Sequence, residues 1–343
     1  MNRPTLREIA TRLGVSIATV SYALNGRPGV GPELRTRIIE LAAEMGYRPN
    51  DLAKGLRTGQ TRSIGMLVED LANPFSADLA SAILSVAQAR GFKVLVSHTR
   101  NAGRLEPGDF EALHDSGVEG VILASVVNYG DRELMETVVV RKPPVIQVIR
   151  HLPDLAADVV GIDDRAAARQ AAMHLLQTGR TDVAVIAGPQ WSPTSELRLA
   201  GFREALALAG QPLASTKLVV SGYSMAEGGR AAAQLARSDP PQAILCGNDL
   251  IALGAIDALL TLGLRVPEDI AVVGFDDISI AAINSLGLTT IRQPRTEIGE
   301  ATLATLLRRI DGSSDPPVHV VVPHELIVRT SCGMALVTER SRR

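Results

Sequence analysis

The chain has 343 residues, too many for one ordinary domain and enough for two or three. Hydrophobic residues make up 46% but aromatic residues only 3%, so the core has to be built from Ala, Val, Leu and Ile, which favours α/β layers. The net charge of -2 hides a segregation: ten Lys/Arg against five Asp/Glu up to Arg62 make +5 there and leave -7 for the rest, so a polyanion partner is expected for the front alone.

The start, MNRPTLREIA, lacks the apolar core of a signal peptide, and no run approaches the roughly 20 apolar residues of a membrane span; a cytoplasmic protein with no membrane partner is expected. From Thr5 to Leu13, Leu6, Ile9, Ala10 and Leu13 recur at helical spacing, and Thr5 with Glu8 makes a capping box. Gly14 can take the positive φ that reverses the chain, and Ser16 caps a second helix whose Val20 and Leu24 face the first. A third helix over 32–45 supplies Leu34, Ile38, Ile39, Leu41 and Ala42 to a small core. This is a helix-turn-helix, whose second helix enters the major groove of double-stranded DNA. Ile17, Ala18 and Tyr22 are expected at base edges, and Thr19, Ser21 and Asn25 nearer phosphates, with Thr5 and Ser16 at the two helix starts also counted in the DNA-binding set. Neither Ile17 nor Ala18 can form bidentate hydrogen bonds, so they read thymine methyl groups or shape.

Next comes YRPNDLAKGLRTGQTR at 47–62, in which 51–57 can form a helix too short to be stable alone in water. Gly55 weakens it by up to about 1 kcal/mol relative to Ala. Taken together, TLREIATRLGVSIATVSYALNGRPGV at 5–30 and GYRPNDLAKGLRTGQT at 46–61 resemble the DNA-binding headpiece and hinge of the lactose/galactose repressor (LacI/GalR) family of bacterial transcription regulators. The resemblance implies that hinge helices of two subunits pair in the minor groove, with Leu56 wedged between base pairs and Lys54 and Arg57 beside phosphates. Such a wedge kinks the duplex at a cost that added contacts must offset.

From Ser63 apolar runs alternate with helical stretches: SIGMLVED, KVLVS, GVILAS and PVIQVI, then DVAVIAG, KLVVSG, QAILCG and IAVVGFDD. Such spacing implies βαβ units, parallel sheets and two similar halves. The body also resembles the family, through NPF at 73–75, LRLAGFREAL at 197–206, CGNDLIALGAIDAL at 246–259, GLRVPEDIAVVGFDD at 263–277 and LTTIRQP at 288–294. The expected class is α/β: a three-helix headpiece over 1–48, a hinge helix over 49–62, and a two-lobed periplasmic-binding-protein-like body over 63–343. Lobe one is expected at about 63–160 and 292–322, lobe two at about 161–291 and 323–343, with a small effector between them.

In open α/β sheets ligands sit at the carboxyl ends of strands. Arg198, Asn248, Asp249 and Asp276 fall at such ends or at helix starts; Asn248, Asp249, Asp276 and Asp277 can equally be helix caps. By the resemblance, Arg198 binds an anionic or hydroxyl-rich effector and Asp276 accepts from its hydroxyls or amines. Phe75 and Tyr223 cover apolar faces, Thr194, Ser192 and Ser125 add lesser contacts, and Trp191 lines the cleft. One departure is Ile149, where many sugar-binding members carry an aspartate, followed by Arg150; this points to a partly apolar effector, or to an anionic one held by Arg150 and Arg198, with a rim salt bridge as the other reading of Arg150.

Cys246 and Cys332 have no CxxC spacing, and no phosphate loop or HExxH occurs, so neither a metal, a cofactor nor a catalytic residue is expected. GYSMA at 222–226 imitates a nucleophile elbow but ends in Ala. The expected protein is a homodimeric repressor of a pseudo-palindromic operator, controlled by its effector; a two-lobed solute-binding module is the alternative.

Overall fold

The computed structural model describes residues 4–47, 61–99 and 104–334. The expected hinge helix, with Lys54, Leu56 and Arg57, lies outside them, as does the tail TERSRR. The chain forms two compact units, Met1–Thr61 and Arg62–Arg343.

The first unit holds α1 (Leu6–Leu13), α2 (Ile17–Leu24) and α3 (Pro32–Glu44). Both halves of the expected capping box form: the Thr5 amide donates to Glu8 Oε2 at 2.7 Å and the Glu8 amide to Thr5 Oγ1 at 3.4 Å. Gly14 has φ 64°, a left-handed conformation that costs residues with a Cβ, and its amide caps Ala10 and Thr11 carbonyls. Ser16 Oγ accepts from the Thr19 amide at 3.0 Å, starting α2. Ile9, Ala10, Val20, Ala23, Ile38 and Ala42 form the core. Ile39 does not join it, contrary to expectation. One position round the helix from Ile38, it is 48% exposed.

In the second unit the first lobe runs through β1 (Ser63–Val68), α4 (Pro74–Ala89), β2 (Lys93–His98), α5 (Pro107–Asp115), β3 (Gly120–Ala124), α6 (Arg132–Val138), β4 (Val145–Val148) and β5 (Asp158–Gly161). The chain then builds α7 (Asp164–Leu176), β6 (Val183–Ala187), α8 (Pro193–Leu208), β7 (Leu218–Val220), α9 (Met225–Ser238), β8 (Ala243–Cys246), α10 (Asp249–Thr261) and β9 (Ala271–Val273). It closes with β10 (Thr290–Arg292), α11 (Arg295–Ile310), β11 (His319–Val321) and β12 (Glu325–Ile327).

One sheet is ordered β11-β5-β4-β3-β1-β2 and another β7-β6-β8-β9, both wholly parallel. Parallel strands covered on both faces need no polar alternation. Accordingly, Ile122 and Ala124 of β3 pack in one core with Leu79 and Ile83 of α4 and Leu306 of α11, while Val121 and Leu123 pack in another with Leu113 and Met135. After β5 the chain leaves the first sheet; β10 and β12 pair antiparallel, Thr290 opposite Ile327, and α11 between them returns to pack on α4. Those crossings place two rows of strand ends opposite one another. β5, α11, β11 and β12 have no counterpart among the expected elements. The strands are only three or four residues long, whereas Ile298, Thr302, Leu303 and Leu306 of α11 do carry a helical period.

Candidate functional site

The headpiece offers one surface. Ile17 and Tyr22 are each 43% exposed, large apolar side chains left outside a core that needed them. Ala18, Asn25, Thr5 and Ser16 are exposed too. Arg27 sits over the Tyr22 ring at 5.8 Å, adding a cation to that face. Thr19 is half-buried, its hydroxyl 2.8 Å from Ser16 Oγ. Ser21 is buried and offers the least surface of the set, while the Asn25 amide donates to its carbonyl at 2.7 Å.

In the body, a small cavity of about 20 Å³ lies where the strand ends meet. Eight of the nine expected effector residues line it: Phe75, Ser125, Arg150, Thr194, Arg198, Tyr223, Asn248 and Asp276. Ser192 does not. It is fully buried behind the wall, accepting from Tyr223 Oη at 2.9 Å and bonded to Thr194 Oγ1 at 3.0 Å, so it fixes the two residues that do. Glu69, Asn73, Ser76 and Ile149 also line the cavity but were not among the expected contacts. Glu69 carried a positional signal, following β1 directly as Ile149 follows β4. A roomier cavity of about 440 Å³ adjoins through the shared Glu69, Asn73 and Tyr223, and Trp191 forms part of its wall.

Arg198 is held at Nε, at Nη1 and on one face of its guanidinium. Its Nε donates to Asp164 Oδ1 at 2.7 Å, its Nη1 to the Gly247 carbonyl at 2.8 Å, and its guanidinium stacks 3.7 Å from the Phe275 ring centroid. Burial lowers its pKa, but Asp164 and Asp276 beside it outweigh that and hold it above its ordinary value. Asp276, 3.4 Å from Arg198 Nη1, accepts from Gln293 Nε2 at 2.8 Å. Burial pushes its carboxyl up to about 6 despite the opposing Arg198 charge.

The capping alternatives resolve residue by residue. Asn248 Oδ1 caps α10 by accepting from the Ile251 amide at 2.9 Å, so its cleft role falls to the other end of the amide. Asp249 is buried, accepting from the Ile278 amide and Thr290 Oγ1, and burial with Asp276 nearby raises its pKa well above the usual range. Asp277 is tied to Arg292 and Arg329, both at 2.7 Å. These last two organise the crossings and do not line the cavity.

Arg150 does form a salt bridge, with Glu69, but in the cavity wall and not at an exposed rim. It is 4% exposed, with Nη2 2.8 Å from Glu69 Oε2 and its guanidinium 5.1 Å from the Trp191 ring and 5.9 Å from that of Tyr223. The cleft backbone is strained as well: Ser125, Ile149 and Asp276 have φ 56°, 66° and 118°, and for β-branched Ile149 this is a costly conformation of the kind that clusters at ligand sites.

A helix-turn-helix unit joined to a two-lobed α/β body with a polar interlobe cleft defines a ligand-responsive DNA-binding regulator. Residues 5–50 match the model for bacterial regulatory proteins of the lacI family, and residues 172–332 that for a periplasmic binding protein-like domain. The chain is 32% identical to the HTH-type transcriptional regulator DegA of Bacillus subtilis (strain 168), covering 96% of this chain and 98% of that one. It is 30% identical to the HTH-type transcriptional repressor CytR of Escherichia coli (strain K12), covering 95% and 96%. The lac repressor dimer bound to operator and the anti-inducer ONPF superposes with TM-score 0.86 at 28% identity, over 96% of this chain and 99% of that one; the regulator CelR in complex with cellobiose does so with TM-score 0.71 at 31%, over 96% and 100%. The chain therefore belongs to the lacI family of bacterial transcription regulators. None of its described helices is long and apolar enough to cross a membrane.

Proposed function

We propose that this regulator is a cytoplasmic, non-catalytic repressor. It binds a pseudo-palindromic operator as a homodimer and changes its grip when a small effector enters the cleft. The observation that carries the reading is the pairing of an exposed recognition helix with a buried polar cleft at facing strand ends. Ile17, Ala18 and Tyr22 read bases; Thr5, Ser16, Thr19 and Asn25 position the unit on phosphates, which set register and not sequence, and buried Ser21 holds Asn25 in place through its carbonyl. Lys54, Leu56 and Arg57 complete the interface as hinge residues. In the cleft, Phe75, Ser125, Arg150, Thr194, Arg198, Tyr223, Asn248 and Asp276 form the effector site, with Ser192 supporting it.

The proposed domain limits are 1–48, 49–62 and 63–343, with lobe one at about 63–160 and 292–322 and lobe two at about 161–291 and 323–343. Dimerisation is supported by the edge strands: β2 closes one sheet with Leu95 and Val96 exposed, and β7 closes the other with Val220 exposed. Unpaired apolar edges are a liability unless covered.

The test is a gel-shift of the full chain, and of a fragment spanning 63–343, on DNA upstream of its own gene, with and without cell metabolites. The full chain is expected to bind specifically in a metabolite-dependent way, and the fragment to remain folded without binding. Specific binding by the fragment would sink the reading.

A further inference from the structure

Arg150 poses a problem that the protein alone does not solve. Its side chain is buried and lines the cavity, yet Nε and Nη1 have no hydrogen-bond partner and only Nη2 is engaged, by Glu69. A buried cationic donor left unmade is expensive. By contrast, Arg198 across the cavity has its Nε bonded to Asp164 and its Nη1 to the Gly247 carbonyl, with Asp276 3.4 Å from that Nη1.

The surroundings favour negative charge on the missing partner. Phe75 and Ser76 in the first turn of α4, Thr194 in that of α8 and Asn248 at the cap of α10 all line the same cavity, so three helix amino ends, each carrying partial positive charge, converge on it. Against this stand Glu69 and Asp276. Glu69 is already committed to Arg150, and the Asp276 carboxylate lies 3.4 Å from Arg198 Nη1, so each negative charge is offset by a neighbouring guanidinium. Ser125, Thr194, Asn248 and Asp276 supply hydroxyl, amide and carboxyl groups suited to hydroxyls around such an anion.

Resting on the effector-site reading above, we propose that the effector carries an anionic oxygen group, a carboxylate or a phosphate ester on a hydroxyl-rich skeleton, seated against Nε and Nη1 of Arg150. The Ile149 side chain after β4 has no acceptor, and Arg150 beside it offers only donors. The competing account is a single water, for which the 20 Å³ cavity has room as it stands, whereas a sugar-sized anion requires the lobes to part and join it to the adjoining 440 Å³ cavity.

Trp191 is the sole tryptophan, and Arg150 lies over its ring, so intrinsic fluorescence reports on this spot. The full chain is titrated with D-gluconate, D-glucuronate, D-glucose 6-phosphate and inorganic phosphate, and with D-glucose as a neutral control, and each addition is repeated with operator DNA present. At least one sugar anion is expected to saturate the signal about 10- to 100-fold more tightly than D-glucose, the range of a charge-assisted hydrogen bond. Carboxylate and phosphate arms tell the two sources apart. Arg150→Met, which leaves Glu69 without its partner and so costs some stability, is expected to lose that margin. Arg150→Lys, whose single nitrogen stays with Glu69, should also lose it and covers the case in which Met fails to fold. The proposal is overturned if D-glucose binds as tightly as the anions, if no anion saturates by about 10 mM, or if both variants keep wild-type affinity. A neutral sugar that binds and shifts operator affinity would leave the effector reading standing and remove only the anion. Anions that bind through Arg150 without shifting operator affinity would do the reverse.

Discussion

Asp276 shows how a single residue in this cleft trades stability for a ligand contact. Its carboxyl is raised to about 6 by burial, so the folded protein holds the proton more tightly than the unfolded chain does. For a raised carboxyl, stability increases as pH falls through the folded pKa and levels off below the unfolded one. Above about pH 6 the ionised form therefore costs the fold on the order of 3 kcal/mol. Asp276→Asn, which resembles the protonated form, should therefore raise the body's melting temperature at pH 7.5 and leave it nearly unchanged at pH 4, while abolishing the effector response. Thermal melts at the two pH values check this; a lower melting temperature at pH 7.5 would show that the charge stabilises the fold. Arg198, Asp164 and Arg295 face Asp276, and burial raises the carboxyls of Asp164 and Asp249 as well, so both contribute to the same profile.

Among the elements, helix contacts set different tolerances for apparently similar residues. Gly14 and Gly254 are both single glycines in helical surroundings, but a Cβ on Gly14 meets nothing within 4 Å, whereas on Gly254 it falls 1.9 Å from the Met225 carbonyl oxygen at the start of α9. For Gly14→Ala the cost is only that of a left-handed backbone, about 1 kcal/mol. Gly254→Ala must push α9 and α10 apart, and because Tyr223 and Ser224 precede α9 the cleft wall moves with it. A loss of about 1–3 kcal/mol or more is expected from overpacking, together with a changed Trp191 signal, since Trp191 packs edge-on to Tyr223. Denaturant melts of both variants test this, and equal losses would contradict it.

For the whole molecule, the cleft and the recognition helix lie in separate units, so any influence of one on the other is a coupling free energy, and it is reciprocal. If an effector changes operator affinity by about 5- to 150-fold, operator DNA must change effector affinity by the same factor in the same direction. Calorimetric titration of effector with and without operator measures one factor, and operator titration with and without effector measures the other. Unequal factors would mean that binding is not confined to these two sites. Tyr129 and Trp191, joined across the cleft by a backbone hydrogen bond of 3.1 Å, and Tyr129 Oη donating to Glu196, are contacts that an opening between the lobes would have to break.

Local chemistry was legible in the sequence because it depends on neighbours a few residues away. The Thr5–Glu8 box, the Gly14 turn, the Ser16 cap and the alternation of strand and helix act over a single turn or unit. The resemblance carried the rest of the expectation, including most of the cleft. Three-residue strands such as β11 and β12 have too short a period to register, and they exist only because β5 and β10 are there to pair with them. The state of each polar group was also beyond the sequence. That Ser192 stands behind the wall, that Asp249 and Asp277 bind the crossings, and that Nε and Nη1 of Arg198 have partners while those of Arg150 do not, follow from distances between residues far apart in the chain. Residue type and spacing decided which chemistry was available to this protein; hydrogen-bond satisfaction, which only the packed tertiary structure determines, decided which of those groups remain open to a ligand.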